Sequence, residues 1–179
     1  MSERRNAILG LAVIVVFITS GMMANAQTRT PEKVPADIDY RGFAQVSEKV
    51  MTYRESRKVS LAGFNEMRTQ PDTIILDTRS RAAYEAGHIR GAVHLNFSDI
   101  TDEALADLIP TRDTRILIYC NNNFTDDARP VMLKRSPFAL NIPTFITLYG
   151  YGYENIYELG EQVSIHDADV YWTGLRQAS

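Results

Sequence analysis

The stretch TIILDTRSRAAYEAGHIRGAVHLN, Thr73 to Asn96, decides the architecture. Its first five residues form a continuous apolar run closing in Asp77, the pattern of a strand covered on both faces in a parallel sheet. Ser80 to Ala86 reads as a short helix, with Gly87 suited to a left-handed C-terminal cap. Ala92 to Asn96 supplies a second strand. A strand, a short helix and a strand in two dozen residues point to an α/β layer fold.

The flanking sequence continues the alternation. Upstream, Ser60 can cap a helix from Leu61 to about Thr69 that presents Leu61, Phe64 and Met67, after a brief strand at Val59-Ser60. Before it, Phe43, Val46, Val50 and Tyr53 recur at spacings of three and four, predicting an amphipathic helix over Tyr40 to Arg57. Downstream, Thr101 caps a helix with Asp102 and Glu103 in its first turn, and Pro110 ends it. Ile116 to Tyr119 is a strand, and Pro143 stands where a first helical residue often does. The helix it opens uses Phe145, Ile146, Leu148 and Tyr149, up to the glycines at 150 and 152. Asn155 to Leu159 is the last strand. The expected sheet is central, mostly parallel and flanked by helices, with right-handed crossovers.

In such folds ligands bind at the carboxyl ends of the strands. Cys120, the only cysteine in the chain, follows Tyr119 at such an end and opens the polar run Asn121, Asn122, Asn123, Phe124, Thr125, Asp126. The 179 residues carry a formal charge of -3 and are 45% hydrophobic, which excludes a disordered chain and a basic nucleic-acid binder. Arg4 and Arg5 precede an apolar stretch from Ala7 to Ile18 and an Ala24-Asn25-Ala26 site, so residues 1–26 read as a secretory signal peptide and 27–39 as a linker. The alternative is an uncleaved anchor running on through Met22 and Met23. An exported, periplasmic location follows, with no membrane contact in the mature form if the signal is cleaved. There an unpaired thiol is a candidate reactive group, weighed against a buried structural cysteine. With His88, His94 and His166 as the only histidines and no CxxC or HExxH spacing, no metal site is expected. His88 reads as a local hydrogen-bonding residue that fixes the turn.

Three segments in order carry a resemblance: ILDTR (Ile75 to Arg79), YEAGHIRGAVHLN (Tyr84 to Asn96) and ILIYC (Ile116 to Cys120), followed by LYGYGYENIYELG (Leu148 to Gly160). In this order they resemble a single rhodanese-like domain, here residues 59–179 behind a helical extension at 40–58. What the resemblance implies is sulfur transfer. Cys120 would take a sulfane sulfur from a small donor such as thiosulfate, hold it as a persulfide and pass it to a thiol or cyanide-like acceptor. The backbone from Asn121 to Asp126 would cradle the anion, with Arg79 and Arg129 as candidate cations, and no cofactor is implied; Asp77 and Arg79 read first as a structural salt bridge near the strand end, with attraction of an anionic donor as Arg79's second role.

Several features depart from the family pattern. The glycine usual in the loop is missing. The three asparagines tolerate the left-handed region and their amides can donate to an anion, whereas Asp126 and Asp127 beside a thiolate would raise its pKa. The segment Arg129 to Asn141, with Pro130 and Pro137, is long; as an insertion it predicts that the helix normally aimed at the sulfur is displaced, or replaced by a short turn near Pro130. The glycine-glycine and tryptophan usual beside the last strand appear only as Gly160-Glu161 and a distant Trp172. Tyr149, Tyr151, Tyr153 and Tyr157 are read as core and rim packing that could line an acceptor pocket. Asp126, six residues after the cysteine where a cysteine phosphatase needs arginine, excludes that chemistry. The competing class is a non-catalytic rhodanese-like binding module of the cell envelope.

Overall fold

A computed structural model describes residues 35–127 and 129–174. The expected signal peptide and all but the end of the linker lie outside the described residues. Five parallel strands form the central sheet: β1 (Lys58–Val59), β2 (Thr73–Asp77), β4 (Ala92–His94), β5 (Arg115–Tyr119) and β6 (Ile156–Leu159), in the order β1-β6-β5-β2-β4. Period-two alternation divides the core. Ile116 and Ile118 of β5 point to one face with Leu76, Leu105, Phe145 and Ile156, while Leu117 and Tyr119 point to the other with Phe64, Ile75 and Phe124. Burial on both faces explains why β2 and β5 read as unbroken apolar runs.

The helices begin where hydroxyl and carboxylate caps start them. Asp39 accepts from the Gly42 N–H at the head of α1 (Tyr40–Tyr53), Ser60 from Gly63 at α2 (Leu61–Met67), Ser80 from Ala83 at α3 (Arg81–Ala86) and Thr101 from Ala104 at α4 (Asp102–Leu108). α1 runs on as a 3₁₀ turn, Arg54–Arg57. α5 (Asn141–Gly150) starts two residues before Pro143, and its buried Phe145, Ile146 and Leu148 pack on the sheet face that α1 and α4 also cover.

One expectation about the backbone needs correction. Gly87 is not left-handed: its φ is 165°, extended backbone. The residue has no side chain because Trp172 lies on it; an added Cβ would sit 2.5 Å from the indole Nε1. Gly87–Ile89 is itself a strand, β3, paired antiparallel with β7 (Trp172–Gly174) in a separate two-stranded sheet. No local pattern in the sequence signals this pairing, because the two partners are more than 80 positions apart.

Candidate active site at Cys120

Parallel pairing brings Asp77, His94, Tyr119 and Leu159 to one edge of the sheet, and Cys120 stands there with extended backbone. The next three residues form a 3₁₀ turn, Asn121–Asn123, in which the Asn123 N–H donates to the Cys120 carbonyl at 3.0 Å. The Asn123 side chain anchors the turn. Its Oδ1 accepts from the Cys120 N–H at 2.9 Å and from Asn141 Nδ2 at 3.1 Å, and its Nδ2 donates to the Leu159 carbonyl at 2.6 Å. One buried amide thus ties the cysteine, the tip of β6 and the head of α5 together.

The helix expected to be displaced is in place. α5 begins 21 residues after Cys120, and the backbone N–H groups of Asn141 and Leu140, together with that of Asn122, are aimed at the sulfur. The proline-rich insert accommodates the extra length by passing over the pocket; the chain makes the expected short turn at residues 129–130, but among the described residues no helix starts there and the turn does not replace α5. Asn121 Nδ2 donates to the Met132 carbonyl at 2.9 Å. Asn122 makes a two-point contact with Lys134, donating to its carbonyl at 2.6 Å and accepting from its N–H at 3.2 Å. The first two asparagine amides therefore clamp the insert.

A buried ionic network forms the floor. Arg79, 3% exposed, donates through Nε to both Asp77 oxygens at 3.0 and 3.1 Å and through Nη2 to Oδ2 at 2.6 Å. The same guanidinium reaches the Gly87 carbonyl at 2.7 Å and, through Nη1, Asn121 Oδ1 at 3.0 Å. The Tyr119 hydroxyl donates to Asp77 at 2.5 Å and accepts from the Ile89 N–H at 3.1 Å. Burial opposes the charge on Arg79, but the Asp77 carboxylate and Tyr119 outweigh it and the pKa is raised, so the guanidinium stays ionised. Trp172 closes the underside, its ring 5.4 Å from the guanidinium carbon and edge-on to Phe124.

Above the sulfur lies a pocket of about 170 Å³ lined by Arg79, Ser80, Cys120, Asn121, Asn122 and Lys134, with Ala83 and Leu140 completing it. Cys120 itself is only 2% exposed. Burial pushes the thiol pKa up; the amides of Asn141, Asn122 and Leu140 pull it down, Glu158 pushes it up, and the balance is upward. The resting side chain is a thiol at the bottom of a small well whose walls include Arg79 and Lys134.

The structure brings Cys120, Asn121, Asn122 and Arg79 together at the pocket, with Asn123 directly beneath. The other four candidates stand elsewhere. Phe124 is fully buried against Tyr119 and Trp172, and Thr125 is exposed with its N–H bonded to the Val163 carbonyl. Asp126 accepts from Ile165 N and Ser164 Oγ, which points it away from the thiol, and Asp127 accepts from Leu133 N. Arg129 is exposed and does not line the pocket. The amide cradle thus comes from Asn122 and the start of α5 rather than from the whole loop through Asp126. The tyrosine run does not line the pocket: Tyr153 is core, Tyr149 packs on Tyr53 and Tyr157 lies beneath Arg57. His88 bonds the Tyr84 carbonyl at 2.7 Å and stacks on its ring. Lys134 and Leu140 escaped sequence reasoning because nothing in a long irregular segment says which residue folds back. Among the described residues there is no cluster of potential metal ligands and no helix long and apolar enough to cross a membrane.

A sequence profile of the rhodanese-like domain matches residues 60–159. A curated relative, the tRNA uridine(34) hydroxylase of Teredinibacter turnerae, is 26% identical over 83 residues, covering 45% of this chain and 26% of that protein, so the chain matches about a quarter of that relative's length. Among solved structures, the Alr3790 protein of Anabaena sp. aligns with 17% identity and a TM-score of 0.42 over 65% of this chain and 92% of that one. The solution structure of the rhodanese-like domain of the same protein gives 20% identity, a TM-score of 0.42 and coverage of 66% and 80%.

Proposed function

Because the chain belongs to the rhodanese-like domain family, we propose that it carries sulfane sulfur as a persulfide on Cys120. The Cys120 thiolate attacks the outer sulfur of a donor such as thiosulfate, the donor S–S bond breaks, and sulfite leaves with the electron pair while the thiol proton passes to solvent. An acceptor thiol or cyanide then attacks the terminal sulfur and the Cys120 thiolate leaves. Both steps exchange one nucleophile for another at sulfur and need no outside oxidant or reductant.

The observation that carries this reading is the placement of the sulfur at the end of β5, where backbone amides of Asn122, Leu140 and Asn141 converge on it beneath a pocket bearing Arg79 and Lys134. Fixed amide donors and nearby cations stabilise a thiolate and, equally, an anionic persulfide. The burial and raised pKa of the thiol favour the second reading, a binding module that holds a small anion without turnover. Mass spectrometry of the protein after incubation with thiosulfate or polysulfide separates the two. One added sulfur on Cys120, discharged by cyanide and absent in Cys120→Ala, supports transfer; no adduct from any sulfane donor supports the module. Export to the periplasm belongs to the same proposal, and a mature N-terminus at Gln27 in the periplasmic fraction is its check.

A further inference from the structure

Glu158, in β6, is 4% exposed. It pairs in register with Ile118 of β5, so both side chains point to the α5 face, and Cys120, two residues farther along extended backbone, points there as well. Strand spacing of about 4.8 Å and an advance of about 6.6 Å put the two Cβ atoms on the order of 8 Å apart. The carboxylate is held by Arg54 Nη2, from the turn that ends the α1 extension and lies before the family match at residues 60–159. Glu55 and Lys58 are the other charged groups that act on Glu158; they bond each other at 2.7 Å, and Glu55 also lies 3.7 Å from Arg54. The pocket at Cys120 is also lined by Arg79 and Lys134.

We propose that Arg54 is a positioning residue for the sulfur site: it neutralises Glu158 so that Cys120 can bear the negative charge of a thiolate or persulfide. The N-terminal extension is then part of the site rather than an appendage. With Arg54 in place the pair, a buried carboxylate under a partly exposed guanidinium, has no net charge. Without it, an uncompensated carboxylate faces the sulfur through protein rather than water, where screening is weak. Burial raises the pKa of Glu158 and Arg54 draws it back down, while the thiol is raised first by its own burial and further by Glu158.

The test is the pH profile of Cys120 alkylation by iodoacetamide in the full chain, its Arg54→Met, Arg54→Lys and Glu158→Gln variants and the Arg54→Met/Glu158→Gln double variant, with melting curves to establish folding. Arg54→Met moves the profile to higher pH and slows alkylation at pH ~7.5 by roughly three- to ten-fold. Arg54→Lys stays close to the parent. Glu158→Gln moves the profile to lower pH, and the double variant keeps the Glu158→Gln profile. An unmoved profile in Arg54→Met or Glu158→Gln overturns the proposal, as does an equal Arg54→Met shift in both backgrounds, which marks a structural effect. The inference rests on the sulfur-carrier reading for its purpose only: absence of a persulfide alongside the expected profiles would sink that reading and leave this one.

Discussion

Replacing Arg79 by methionine keeps an apolar stem of similar reach and removes a charge from a site where Asp77 is fully buried. Asp77 loses its three side-chain bonds from Nε and Nη2 and keeps only the Tyr119 hydroxyl and the backbone N–H of residue 79, at 2.5 and 3.0 Å. The Gly87 carbonyl and Asn121 Oδ1 each lose a donor. Removing one partner of a buried pair costs about 3–5 kcal/mol. The two surviving bonds to Asp77 put Arg79→Met near the lower end, about 3 kcal/mol, a fall in melting temperature of roughly 9 °C for a domain of this size. Urea unfolding followed by far-ultraviolet circular dichroism measures it. Asp77→Asn combined with Arg79→Met removes the stranded charge and keeps an acceptor for Tyr119, so the double variant recovers part of the loss. Arg79→Met within 1 kcal/mol of the parent, or a double variant as unstable as the two single losses added together, refutes the claim that this ion pair holds the floor of the site.

Asn123→Asp replaces the donor to the Leu159 carbonyl with a carboxylate beneath the thiol; the expected loss is about 1–3 kcal/mol in denaturation, with slower alkylation of Cys120. In the unsubstituted protein, burial raises the thiol pKa, so alkylation keeps accelerating above the pH of about 8.5 where free cysteine is half ionised. By linkage the unfolded chain releases that proton first, so stability is full below this pH and declines as it rises toward the folded pKa, a decline absent in Cys120→Ser. Gly87→Ala drives a methyl group into the Trp172 ring, 2.5 Å from Nε1. Overpacking of this kind costs about 1–3 kcal/mol, and fluorescence reports it directly because Trp172 is the only tryptophan; unchanged emission and stability would show that the indole has room to move.

The sequence by itself determined the layer architecture, because local patterns carry it: unbroken apolar runs at β2 and β5, hydroxyl caps at Ser60, Ser80 and Thr101, and a thiol placed just past a strand. These depend on residues a few positions apart, and each was legible without knowledge of the rest. What only the tertiary structure decided is who meets whom across long separations. Trp172 folds back on Gly87 and Phe124, Lys134 crosses the pocket in the grip of Asn122, and Arg54 reaches Glu158. The asparagines show the difference most clearly. Their composition allowed free amides aimed at an anion, but folding brought the insert within reach of Asn121 and Asn122 and the head of α5 within reach of the buried Asn123, and the amides bond these partners instead. The amides that act on the sulfur are therefore backbone N–H groups, those of Asn122 and of Leu140 and Asn141 at the start of α5, where the first N–H groups have no partner within the helix.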